Sequence, residues 1–169
     1  SVMVRDEMLA YYNVPVEKLY VIENGIDLEE FHPNLSEERA RTRKPLGITE
    51  DTPVFLFVGN GFERKGVEQL LLALSQTKND QSKLVIVGND RKITFFEHLA
   101  KKKKLENRVI FTGPQENVKP FYGMADAFVL PTRYDPMPNA ALEAMACGLP
   151  LITSTTCGMA SRVTHGENG

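Results

Sequence analysis

No apolar run in the sequence approaches the roughly 20 residues needed to span a bilayer, and the N-terminus carries no signal-peptide hydrophobic segment. Cysteine is scarce. Cys147 and Cys157 are the only two and form no C-x-x-C pair, which suits a reduced, cytosolic setting better than a disulfide framework. Neither sign of charge is in excess: 20 basic residues stand against 22 acidic ones, for a net charge of −2. That balance argues against a nucleic-acid binder working through bulk charge. The three histidines, His32, His98 and His165, are far apart in sequence and read as scattered surface residues, so no metal site and no cofactor are expected. Neither G-x-G-x-x-G nor G-x-x-x-x-G-K-[ST] occurs, so the dinucleotide and P-loop fingerprints are both missing. There is no internal repeat and no low-complexity linker. The sequon Asn34-Leu35-Ser36 has no secretion signal to serve it and is read as silent.

What is present suits one domain with a proper core. The chain has 169 residues, 42% hydrophobic and 25% charged, ordinary values for a globular protein. It starts without methionine and stops at the turn-like Gly166-Glu167-Asn168-Gly169; the expectation is a piece of a longer protein. Residues 2–12 are amphipathic and predict a helix. LYVI (19–22) predicts a short strand, followed by a turn at ENGID. SEERARTRK predicts a surface helix that Lys44-Pro45 should end.

From residue 53 the pattern becomes regular. Predicted strands at 53–59, 83–88, 108–113, 126–131 and 149–154 alternate with predicted helices at 65–76, about 91–104, 117–124 and 139–147. The strands are continuous β-branched or aromatic runs, the mark of strands buried on both faces. The alternation implies βαβ units and an α/β, Rossmann-like, doubly wound parallel sheet. The block Lys101–Lys104 reads as a solvated helix end favoured by the helix dipole.

Such sheets bind ligands at the carboxyl ends of their strands, so the loops there carry the candidates. The first is Gly59-Asn60-Gly61-Phe62-Glu63-Arg64-Lys65-Gly66. It offers glycines that let backbone approach a ligand, and a guanidinium and an ammonium where a helix begins, an anion-binding combination. The second, Gly88-Asn89-Asp90-Arg91-Lys92, again puts basic residues after a strand. Here Asp90 can serve as N-cap with Arg91 and Lys92 in water. The third, Thr112-Gly113-Pro114-Gln115, is a rigid turn that could frame a flat ring.

The fourth, YDPMPNAALEAMACGLP (134–150), separates Asp135 from Glu143 by seven residues. Asn139 is an N-cap candidate, and Ala140 and Ala141 leave first-turn N–H groups open to an anion. Gly148 and Pro150 end the helix. Glu143 then sits one turn in, within an apolar stretch where an unpartnered acid would cost several kcal/mol. Basic residues, a helix N-terminus and two carboxylates together suit a nucleotide sugar.

These residues also carry a family resemblance over nearly the whole chain. VIENGIDLEEFHP (21–33), FVGNGFERKGVEQLLLAL (57–74), DPMPNAALEAMACGLPLITS (135–154) and CGMASRVTHGENG (157–169) occur in that order. The sequence resembles the C-terminal, donor-binding domain of retaining GT-B glycosyltransferases of family four (group 1), and in particular bacterial lipopolysaccharide core glucosyltransferases. The resemblance implies one half of a two-domain enzyme, with residues 1–169 forming the donor half and the N-terminal acceptor domain absent. The implied activity is sugar transfer from a nucleoside-diphosphate sugar, usually a UDP-sugar, to a glycan or lipid-linked acceptor. It is compatible with a cytoplasmic parent lying peripherally on the inner face of the membrane.

The resemblance also assigns roles. Glu143 matches the acid that binds ribose hydroxyls, and Asp135 the acid near the donor sugar. Met137, Pro138, Asn139 and Ala140 match the loop that contacts sugar and diphosphate. Gly59, Asn60, Gly61, Arg64 and Lys65 match the phosphate loop, with Arg64 and Lys65 neutralising the leaving diphosphate without a metal. From the second and third loops as read above, Arg91, Gly113 and Pro114 complete the expected donor contacts.

Three departures stand out: aspartate at 135 where glutamate is usual, Asn60 where many members have arginine, and Cys157-Gly158-Met159 in place of a glycine pair. The first keeps open a second reading, a non-catalytic nucleotide-binding module of an inactive or regulatory homologue.

Overall fold

The computed structural model describes residues 1–78 and 81–169, with Ser36, the last residue of the sequon, described by its backbone only. Among the described residues five strands form the sheet: β1 (Val54–Val58), β2 (Lys83–Val87), β3 (Val109–Gly113), β4 (Ala127–Leu130) and β5 (Leu151–Thr153). All pairings are parallel, and the order is β3-β2-β1-β4-β5. The helices are α1 (Val2–Tyr11), α2 (Arg39–Arg43), α3 (Val67–Gln76), α4 (Ile93–Lys102), α5 (Lys119–Met124) and α6 (Asn139–Ala146). The predicted α/β, doubly wound parallel sheet is therefore present, and every strand predicted after residue 53 is found.

The sheet is apolar on both faces because helices cover both. From β1 the chain winds outward through β2 to β3, then returns to β4 on the other side of β1. Parallel crossovers are right-handed, so opposite winding directions put their helices on opposite faces. On one face Phe57, Phe62 and Phe96 form a run of edge-on rings at 5.8 and 5.4 Å, joining β1 to α4. On the other, Tyr122 of α5 packs on Phe128 of β4 at 6.0 Å. Leu56, Phe57, Leu71, Leu84, Ile86, Phe128, Leu130 and Leu151 are fully buried. Each such side chain contributes about 1.5–3 kcal/mol relative to exposure.

The region before β1 departs most from expectation. Residues 19–22 form no strand: no neighbouring strand receives them, Tyr20 and Ile22 are exposed, and β-propensity is realised only against a partner. The turn falls at 28–30 rather than on ENGID, and Asp27 Oδ1 accepts the Glu29 and Glu30 N–H groups there. The predicted surface helix shrinks to α2, preceded by a 3-10 turn at Pro33–Glu38, and ends before Lys44-Pro45 as expected.

That helix is not purely a surface element. Arg43 is wholly buried. Its guanidinium donates to the carbonyls of Met124, Thr49, Glu50 and Thr52, all at 2.9 Å, and to Asp126 Oδ2 at 3.0 Å. A buried charge survives when it is paired, and here each of the three guanidinium nitrogens has an acceptor. Asp126 also accepts from Arg39 at 2.7 Å and from the Val54 N–H at 2.7 Å, so it ties α2 to the starts of β1 and β4. Partial burial alone would raise the Asp126 pKa. The Val54 N–H, the Arg39 hydrogen bond and the charges of Arg39 and Arg43 outweigh it and hold the carboxyl below its ordinary value.

Asp126→Asn should lower unfolding free energy at pH 7 by about 1–3 kcal/mol, read from urea denaturation, because it leaves Arg43 buried without its counter-charge. A depressed folded pKa stabilises above the unfolded carboxylate value of about 3.9 and stops doing so as pH falls through the lower folded value. The gap between wild type and variant should accordingly be full at pH 6 and close below about pH 3.9. A gap that persists unchanged into acid would remove Asp126 from this role.

Candidate donor site at the strand switch point

The winding direction reverses between β1 and β4, and in open parallel sheets the crevice at that reversal is where ligands bind. The loops leaving these two strands carry the strongest sequence candidates. A cleft of about 640 Å³ lies there, lined by Gly59, Asn60, Arg64, Lys65, Asp135, Met137, Pro138, Asn139, Ala140 and Glu143, together with Val58 and Val118.

Its floor is an ion pair. Lys65 Nζ lies 2.9 Å from Asp135 Oδ2, with side chains only 12% and 11% exposed. The aliphatic stem of Lys65 crosses the end of β1 where Gly59 leaves room: a Cβ on Gly59 would meet Lys65 Cδ at 2.8 Å, and the Gly59 φ of 154° also disfavours a side chain. Arg64 is half-exposed, donates to the Tyr134 carbonyl at 2.6 Å and stands 3.4 Å from Asp135 Oδ2. One carboxylate therefore organises both cations.

Asp135 is held by its own backbone. It donates its N–H to Thr156 O at 3.3 Å and accepts from Gly158 N at 2.8 Å, a bridge between the two loops. The approach is close enough that a Cβ on Gly158 would lie 1.7 Å from the Pro136 carbonyl oxygen. The departure at Cys157-Gly158-Met159 thus keeps the one glycine that this contact demands.

On the opposite wall is α6. Pro138 is its N-cap and Asn139 its first residue, so Asn139 does not cap by its side chain as predicted; its Oδ1 accepts from Asn24 instead. The first N–H groups of any helix lack intrahelical partners. Here those groups, on Asn139 and Ala140, border the cleft. Glu143 follows one turn later, half-buried. The partner that its apolar setting calls for is Tyr122, whose hydroxyl donates to Glu143 Oε2 at 2.6 Å. Burial, then the charge of Glu143 and the hydrogen bond to it, push the Tyr122 phenol far above its ordinary value, so it remains a fixed donor. Gly148 follows α6 with φ of 80°, as a helix-ending glycine should.

Four candidates lie elsewhere. Gly61 and Arg91 line an adjoining cleft of about 510 Å³ with Asn60, Asn89 and Asp90. Asp90 is not the N-cap of α4, which begins after Lys92. Its carboxylate accepts from Phe62 N at 2.7 Å and Lys92 N at 2.8 Å, stitching the β1 loop to the β2 loop. Gly113 ends β3, two strands from β1, and Pro114 follows it; neither lines either cleft. Sequence reasoning missed Tyr122, Val118 and Asn24, whose roles depend on partners distant in sequence. Among the described residues no three His, Cys, Asp or Glu side chains come together, and no helix is long and apolar enough to cross a membrane.

The parallel switch-point sheet thus carries a basic loop after β1 and an acid-bearing helix after β4. Residues 38–169 match the model of the glycosyl transferases group 1 family, and the chain belongs to that family. An uncharacterized glycosyltransferase of Methanocaldococcus jannaschii is 35% identical over 173 residues, covering 100% of this chain and 44% of that protein. The lipopolysaccharide glucosyltransferase WaaG of Escherichia coli is 28% identical, covering 99% of this chain and 46% of its own length. The solved structure of Anabaena HepE, in complex with UDP and glucose, superposes with a TM-score of 0.89 at 24% identity, covering 100% of this chain and 47% of that one. The chain thus spans less than half the length of each of these three proteins.

Gly158→Ala should force the Pro136 carbonyl to move and cost about 1–3 kcal/mol in unfolding free energy, as overpacking does, measured by urea or thermal unfolding. An unchanged midpoint would show that the two loops are not in the contact described.

Proposed function

We propose that this chain is the donor-binding part of a retaining glycosyltransferase, which moves a sugar from a nucleoside-diphosphate sugar, a UDP-sugar, to a glycan or lipid-linked acceptor. The observation that carries the reading is the convergence of Lys65, Arg64, the start of α6 and Glu143 on one cleft at the switch point.

Each part suits a portion of such a donor. The Arg64 guanidinium is half-exposed and suited to a phosphate oxygen, while Lys65 supplies a second positive charge from a fixed position. The open N–H groups of α6 add the positive end of a helix dipole. Glu143, held on one oxygen by Tyr122, can accept hydrogen bonds from the ribose hydroxyls. In transfer, negative charge grows on the departing diphosphate. Groups already aimed at it stabilise that state without reorganisation.

Asp135 is assigned differently from the resemblance. It acts as the counter-ion that positions Lys65 and Arg64, since Oδ2 is committed to them and the residue is only 8% exposed. The acceptor site belongs to the remainder of a longer parent, so the chain alone binds nucleotide and transfers no sugar. With a lipid-linked acceptor, the parent works at the cytoplasmic face of the membrane.

Calorimetric titration with UDP, and with GDP and ADP as controls, tests this reading. UDP should bind saturably, and Glu143→Ala should weaken it by about 1–3 kcal/mol, the cost of losing hydrogen bonds to a charged acceptor. Failure of every nucleotide to bind both this chain and its full-length parent would overturn it.

A further inference from the structure

Residues 19–27 form no helix or strand and run over the surface, yet they are fastened to the donor cleft at a specific point. The side-chain amide of Asn24 donates to the Met137 carbonyl at 3.2 Å and to Asn139 Oδ1 at 2.8 Å. Both acceptors belong to residues that line the cleft, and Asn139 is the first residue of α6. On either side, other N-terminal residues hold the same region. Glu7 Oε2 accepts from the Tyr134 hydroxyl at 2.6 Å, and Glu23 pairs with Arg162.

We propose that Asn24 is a positioning residue of the donor site: it latches the Met137–Asn139 turn and so fixes where the open N–H groups of α6 point. The proposal rests on the donor-binding reading given above. The chemistry is selective. The two acceptors need two N–H hydrogens from one uncharged group, which a primary amide supplies. A hydroxyl offers one hydrogen, and a carboxylate offers none. The latch also accounts for Asn139, whose side chain is turned to Asn24 and is not spent on capping the helix. Without it the turn would keep its covalent path but lose the tie that fixes its approach to α6. Misplacement of a ligand-binding group by as little as about 1 Å is costly to function.

The test compares wild type, Asn24→Ala and the near-isosteric Asn24→Asp by UDP titration and by amide hydrogen exchange. Loss of two ordinary hydrogen bonds should weaken UDP binding about fivefold in Asn24→Ala, and more in Asn24→Asp, which also sets a negative charge beside two acceptor oxygens. Exchange should quicken several-fold in peptides covering 134–142 and stay at the wild-type rate in β1 and β2, because a local latch leaves global stability intact. Combined with Asn139→Ala, the loss of affinity should be less than additive, since both act through one contact.

Wild-type affinity together with wild-type exchange in Asn24→Ala would overturn the proposal, as would faster exchange across the whole sheet. If wild type itself binds no UDP, the donor reading is decided on the full-length parent and the exchange pattern alone decides the latch. Acceleration confined to 134–142 supports it, and no change overturns it.

Discussion

The site depends on one nearly buried ion pair. Lys65 arrives from the loop after β1 and Asp135 from the loop after β4, and they meet at 2.9 Å across the point where the sheet reverses its winding. Neither charge is tolerable there alone: removing one partner of a buried pair leaves the other desolvated, at a cost of about 3–5 kcal/mol. The pair therefore joins two loops that the fold only brings near each other. Gly59 clears the path for the lysine stem, and the bridge from Asp135 to Thr156 and Gly158 fixes the carboxylate from behind. Such a pair adds little net stability over a hydrophobic substitute. What it supplies is a cation held at a defined place in a cleft.

The wall opposite is arranged on the same principle. Glu143 is anchored through one oxygen by the Tyr122 hydroxyl, which burial keeps protonated. Beneath both walls, Arg43 and Asp126 tie the chain that precedes β1 to the starts of β1 and β4. The two central strands are thus pinned at their amino ends by one ion pair and coupled at their carboxyl ends by another. The cleft is mostly a product of charges held by fixed partners and of glycines where backbone must come close.

Much of this was legible in the sequence. The βαβ alternation after residue 53 follows from continuous apolar runs separated by glycine-bearing loops, and a parallel sheet places such loops on one edge. Asp135 and Glu143 were legible through their spacing and the caps around their helix. The unread parts share a physical cause. LYVI has strand composition but no strand to pair with, and sequence cannot say that an edge is unavailable. Arg43 looked like a surface residue because its five acceptors lie outside its own helix, in the loop at 49–52 and at Met124 and Asp126. Asn139 looked like an N-cap, but Asn24, 115 positions away, takes its side chain. Short-range grammar describes elements well, whereas side-chain partners across the fold escape it.

The central claim is that Asp135 serves the ligand through Lys65. A double-mutant cycle on UDP affinity with Lys65→Met, Asp135→Asn and the double variant tests it most directly. Each single change should weaken binding, and the double variant should lose clearly less than the sum of the two single losses, because once Lys65 is gone Asp135 has only Arg64 left to position. Losses that add in full would mean that Asp135 meets the ligand on its own account, and the ion pair would not be the organising contact.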